Sequence, residues 1–81
     1  MSPKTPRNIS GYDLIKLLSK YNYVITRQKG SHIRLSRSIN DDVHHLTIPN
    51  HSPIKLGTLS AILNEVSLHL KIDKQELLNS L

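Results

Sequence analysis

The chain has no cysteine, no tryptophan and no phenylalanine. Disulfides, thiolate nucleophiles and cysteine-ligated zinc are therefore excluded, and a reducing compartment is compatible with the composition. Three tyrosines are the only aromatics. Tyr21 and Tyr23 are placed for a core, which leaves too little for a platform that stacks single-stranded bases. No apolar run approaches the roughly 20 residues of a membrane span, and the opening residues MSPKTPRN lack the hydrophobic stretch of a signal peptide. The expectation is a protein with no membrane association. Acids are also scarce, at 6 against 11 Lys and Arg, giving a formal charge of +5. There is no internal repeat and no low-complexity tract. What is present, 81 residues with 37% apolar and 21% charged side chains, suits one small folded domain with a core short of spare residues.

The positive charge is concentrated. Lys16, Lys20, Arg27, Lys29, Arg34 and Arg37 fall within residues 14–37, a stretch without a single acid. A phosphate-bearing partner is drawn to such a segment, with nucleic acid the first candidate, although charge alone suits a solubilising surface equally well.

Residues 1–8 carry two prolines and no apolar pattern, and read as a flexible basic arm ahead of a single domain over 9–81. Ser10 and Asp13 have the spacing of a capping box, with Ile9 and Leu14 at the flanking apolar positions. Leu14, Leu17, Leu18 and Tyr21 then follow helical spacing, and Asn22 can adopt the left-handed conformation that ends a helix. Tyr23–Thr26 reads as a strand, Gln28–Ser31 as a turn, and the next strand alternates, with Ile33 and Leu35 inward and His32, Arg34 and Ser36 outward. Residues 37–43 read as a polar loop. A third strand follows, with Leu46 and Ile48 inward and His45 and Thr47 outward, before Pro49. Leu59, Ile62, Leu63 and Val66 mark a second helix, and Asp73 with Glu76 a capping box for a short third one. The predicted class is α+β, in the order α-β-β-β-α plus a short C-terminal helix. The helices pack on one face of a three-stranded antiparallel sheet and leave the other open. Ile25 is expected in the core with the inward residues of the other strands.

His32 follows Gly30 and Ser31 at the start of the second strand, on the uncovered face beside the basic cluster. An imidazole there can move a proton near neutral pH. RNA supplies its own nucleophile, so one histidine with cations around the phosphate is a sufficient site, and DNA, lacking the 2′-hydroxyl, is spared. The competing reading of His32 is an idle surface residue. His45 faces the same side, opposite Arg34 or His32 depending on register; in the second register two imidazoles could divide acid and base work. Lys29, Arg34 and His45 are the candidates for protonating the leaving oxygen. A triad of Ser31, His32 and an Asp is rejected because adjacent strand residues diverge. His44, His45 and His51 lack metal-ligand spacing, so no metal is expected.

Four stretches, GYDLIKLL (11–18), YVITRQKGSH (23–32), LTIPNH (46–51) and LGTLSAIL (56–63), resemble in order and spacing the HicA-like toxins of type II toxin–antitoxin pairs. The resemblance covers most of residues 9–67. It implies a double-stranded-RNA-binding-domain-like fold, a metal-independent endoribonuclease that cleaves messenger RNA and inhibits translation, no cofactor, and a bacterial cytoplasmic setting. The histidine of the GSH motif, catalytic in that family, falls on His32. Arg27, Lys29, Arg34, Lys16, Lys20, Ser31 and His45 are the expected RNA contacts. The implied partner is a HicB-like antitoxin covering the active face. The chain departs from the family at Asn22, where glycine is usual, at Ile33 and Arg34, and in the acidic loop with Asp41 and Asp42. The alternative is a non-catalytic RNA-binding module of the same fold. Against it, residues 55–67 hold one lysine and one glutamate, a poor match to the basic helix of a double-stranded-RNA binder.

Overall fold

The computed structural model describes residues 8–81, so the arm predicted for residues 1–8 lies outside them except for the exposed Asn8. Helix α1 (Gly11–Ser19) begins where the capping box closes: Asp13 N–H donates to Ser10 Oγ at 3.1 Å, and Ser10 N–H donates to Asp13 Oδ2 at 3.0 Å. These bonds hold the Asp13 carboxyl below its ordinary pKa, because they favour the charged form. Asn22, at φ 73°, turns the chain into the sheet.

The sheet is β1 (Val24–Lys29), β2 (His32–Ile39) and β3 (Asp42–Pro49), antiparallel and in the order β1-β2-β3. The expected loop over 37–43 is mostly strand. Ile39 pairs with Asp42, leaving only Asn40 and Asp41 as the turn, with Asn40 at φ 56°. A short hairpin of this kind demands a left-handed residue, which Asn tolerates. Helix α2 (Leu56–Leu70) and helix α3 (Lys74–Asn79) complete the chain. Asp73 caps α3 by accepting from Gln75 N–H at 2.9 Å. The expected reciprocal bond from Glu76 does not form, so that box is half closed.

The core lies between the helices and one face of the sheet. Leu14, Leu17 and Leu18 of α1 meet Ile33, Leu35, Leu46 and Ile48 of the sheet and Leu59, Ile62, Leu63 and Val66 of α2. Tyr23, Ile54 and Leu77 join them, burying the chain between elements as well as the elements themselves. Ile25, expected inside, is 50% exposed. It shares the covered side with Leu35, its cross-strand partner, but β1 is the edge strand and its outer flank meets solvent.

Beneath the far end of the sheet, the Tyr23 hydroxyl and His44 Nδ1 share a hydrogen bond of 2.6 Å, and His44 stacks on His69 with ring centroids 4.0 Å apart. His69 Nε2 donates to Asp42 at 2.9 Å, and Asp42 also accepts from Arg37 at 3.0 Å. Burial holds the Tyr23 hydroxyl above its ordinary pKa, so it stays neutral. This cluster ties α2 to the β2–β3 hairpin, and it faces away from the open side of the sheet.

Candidate active site

At the opposite end of the sheet three sequence stretches converge. Gly30 turns β1 into β2 at φ 59°, and Ser31 C=O accepts from Asn50 N–H at 2.6 Å. His32 therefore starts β2 directly across from Pro49 on β3 and from Lys29 on β1. Gly11 lies against the same corner, with its N–H donating to His51 C=O at 2.9 Å. A Cβ on Gly11 would stand 2.6 Å from Pro49 O, so glycine is what lets the helix start this close. Thus the GYDL, KGSH and IPNH segments, 15 or more residues apart in sequence, fix one another's backbones.

The open face carries cations because β1 contains a bulge. Ile25 pairs with Leu35 and Arg27 with Arg34, leaving Thr26 as the extra residue. Strict alternation would put Ile25, Arg27 and Lys29 on one side. The bulge resets the phase, so Arg27 comes beside Arg34 and Lys29 beside His32, both on the open side. The exposed His32, Arg34, Arg27 and Lys29 thus share one face. Cross-strand pairing puts no acid on it: Asp42 is engaged with Arg37 and His69 on the covered side, and Asp41 sits in the turn. With Asp42 so committed, it cannot serve a triad with Ser31 and His32.

Other expected contacts are placed differently. His45 is on the open face but opposite Ser36, while Thr47 stands opposite Arg34 and Pro49 opposite His32. Both registers considered from the sequence are thus replaced. Four residues separate His32 from Ser36, about 13 Å along a strand, so the two imidazoles do not share acid and base work at one phosphate. Lys16 and Lys20 lie on the helical layer, lining a groove of about 380 Å³ with Asp13, Leu17 and the C-terminal Leu81. They are not brought to His32. Ser31 contributes its carbonyl to the Asn50 bond, and its side chain is in the exposed turn.

The sequence reading passed over Thr26 and Ser36. Thr26 Oγ1 lies 2.9 Å from Ser36 Oγ, and Ser36 Oγ lies 2.7 Å from His45 Nδ1, a hydrogen-bonded line across all three strands. The only available signal was the outward position of Ser36; a bulge at Thr26 has no marker in composition. Among the described residues no group of three or more His, Asp or Glu is placed to hold a metal, and no helix is long and apolar enough to cross a membrane.

A small α+β domain with one helix-covered sheet face and one open, cationic, acid-free face is what these elements define. The pattern of one family, HicA toxin of bacterial toxin-antitoxin, matches residues 11–68, and the chain belongs to that family. Membership gives the protein a toxin role and implies a cognate antitoxin. No curated protein and no solved structure matches the chain.

Proposed function

We propose that this toxin is a metal-independent endoribonuclease that cleaves messenger RNA and so inhibits translation in the bacterial cytoplasm. His32 removes the proton from a ribose 2′-hydroxyl; the 2′-oxygen attacks the adjacent phosphorus to form a 2′,3′-cyclic phosphate, and the bond to the 5′-oxygen breaks, that oxygen taking a proton from water. Lys29 and Arg34 stabilise the negative charge that builds on the phosphate oxygens. The observation that carries this reading is the place of His32: exposed at the head of β2, paired with Lys29 and two residues from Arg34, on a face that lacks acids. Family membership supports it. A HicB-like antitoxin that silences such an enzyme has the same open face to cover.

The test is His32→Ala, compared with the parent for cleavage of single-stranded RNA and DNA, for RNA binding and for thermal melting. The side chain is exposed, so stability should move by no more than about 0.5 kcal/mol. The cleavage rate should fall by about 10²–10⁴, while RNA affinity falls far less, because the phosphate-binding cations remain. Full activity in the variant removes His32 from catalysis. Tight RNA binding without cleavage by either protein favours the non-catalytic module.

A further inference from the structure

Thr26 Oγ1 lies 3.4 Å from the Arg34 carbonyl oxygen and 2.9 Å from Ser36 Oγ, which in turn lies 2.7 Å from His45 Nδ1. Held at Nδ1, the His45 ring keeps Nε2 as its second hydrogen-bonding nitrogen. The line from Thr26 through Ser36 to His45 borders a shallow cleft of about 380 Å³ whose lining also includes Arg27, Arg34 and Val43. Val43 is 53% exposed, an apolar surface beside the guanidinium groups.

We infer that this cleft is a second phosphate subsite for the RNA strand, lying along β2 from His32. The inference rests on the ribonuclease reading of the same face. The separation is about 13 Å, from four residues of strand. Stacked nucleotides advance about 3.4 Å each along one strand, so the subsite engages a phosphate about four nucleotides from the scissile bond, or fewer if the strand is extended. Arg34 and Arg27 supply the charge. His45 Nε2, the ring nitrogen not bonded to Ser36, donates to a phosphate oxygen docked there. Ser36 and Thr26 are positioning residues that act through His45, and Val43 offers contact to a ribose or base. A single RNA strand fits better than an acidic protein surface, because the cations form a track from Lys29 and His32 through Arg27 and Arg34 to His45, as successive phosphates require.

Binding of 2′-O-methyl RNA oligomers of three and eight nucleotides, followed by NMR titration, tests this without cleavage. His45→Ala should weaken the octamer about five- to tenfold, the loss of one exposed charge-assisted contact, and change trimer affinity less than twofold. Ser36→Ala should give part of the same loss, and Ser36→Thr, which keeps the hydroxyl, should restore it. Arg34→Ala should lower the salt slope of octamer binding by about 1. If the His45 and Ser36 variants bind the octamer as the parent does, or lose trimer and octamer equally, the subsite is overturned while the ribonuclease reading stands. Indifference to RNA combined with a loss of antitoxin binding would assign the cleft to an acidic protein partner. A parent protein that binds neither oligomer overturns the subsite and the ribonuclease reading together.

Discussion

Replacing Gly11 with alanine separates what helix propensity predicts from what packing dictates. In a helix, Gly→Ala ordinarily stabilises by about 0.4–1 kcal/mol, since alanine has less backbone freedom to lose. Gly57, near the start of α2, is such a position: a Cβ there meets nothing within 4 Å. At Gly11 the new Cβ would stand 2.6 Å from Pro49 O and 3.1 Å from Asn50 Cα, both backbone atoms. Even a close C···O approach is about 3.3 Å, so about 0.7 Å must be found by moving either the helix start or residues 49–51. That movement strains the bonds Gly11 N–H to His51, Asn50 N–H to Ser31 and Ile54 N–H to Ile9, which are 2.9, 2.6 and 2.7 Å long. Overpacking of this kind costs about 1–3 kcal/mol, or a melting-temperature drop of at least about 4 °C for a domain of this size. Gly57→Ala should rise by a few degrees. Thermal and urea unfolding of both variants beside the parent is the assay. A Gly11→Ala protein as stable as the parent would refute the close approach, and with it the account of how α1 buttresses the His32 corner.

Tyr23→Phe deletes the 2.6 Å bond to His44 and should cost about 1–3 kcal/mol in urea unfolding, because His44 Nδ1 loses its partner. RNA cleavage by the folded variant should be unchanged, since this cluster faces away from His32. Asp13 contributes a pH dependence whose sign is fixed. Its pKa is lower in the folded chain than in the unfolded one, so the stabilisation is present above the unfolded value near 4 and lost as pH falls through the folded value. Asp13→Asn should flatten that acid limb of the stability curve, and an unchanged limb would remove the capping box from the account.

The alternation of Ile33 and Leu35, and of Leu46 and Ile48, was legible because strand side chains repeat with period two and one face is apolar. The Ser10 capping box was legible because it is local. Register was not, because several pairings keep those four residues on one side; the deciding feature is turn length. Reading 37–43 as a loop discarded that anchor. Once Asn40 and Asp41 are the turn, Ile39 meets Asp42 and His45 must meet Ser36. Ile25 was misplaced for another reason. Its apolarity says which side it faces, but not that β1 has no neighbour on its outer edge to cover it. The burial of Leu77 and Ile54 was not legible, because burial of a short helix and of a connector is decided by tertiary packing, which no local period reports.

The bulge in β1 decides which cations reach the open face, and removing residues there should expose that logic. Deleting one residue from a strand ordinarily turns every following side chain to the other side. Deleting Thr26 should not. Ile25 and Arg27 already pair with the consecutive residues Leu35 and Arg34, so the deletion joins them into a regular ladder with Arg27 and Lys29 still facing out. The loss should be about 1 kcal/mol, that of the Thr26 hydroxyl bonds. Deleting Gln28 instead also yields a regular ladder, but one in which Thr26 meets Arg34 and Arg27 meets Ile33, on the side of the helices. The two deletions remove the same number of residues from one exposed strand, yet only the second withdraws a cation from the face. Cross-strand NMR contacts between Arg27 and Arg34 should survive in the first variant and vanish in the second. The salt slope of RNA binding should hold in the first and fall by about 1 in the second. Loss of the Arg27–Arg34 contacts in a folded Thr26 deletion would show that the extra residue is needed to orient β1, and would overturn the phase-resetting role given to the bulge.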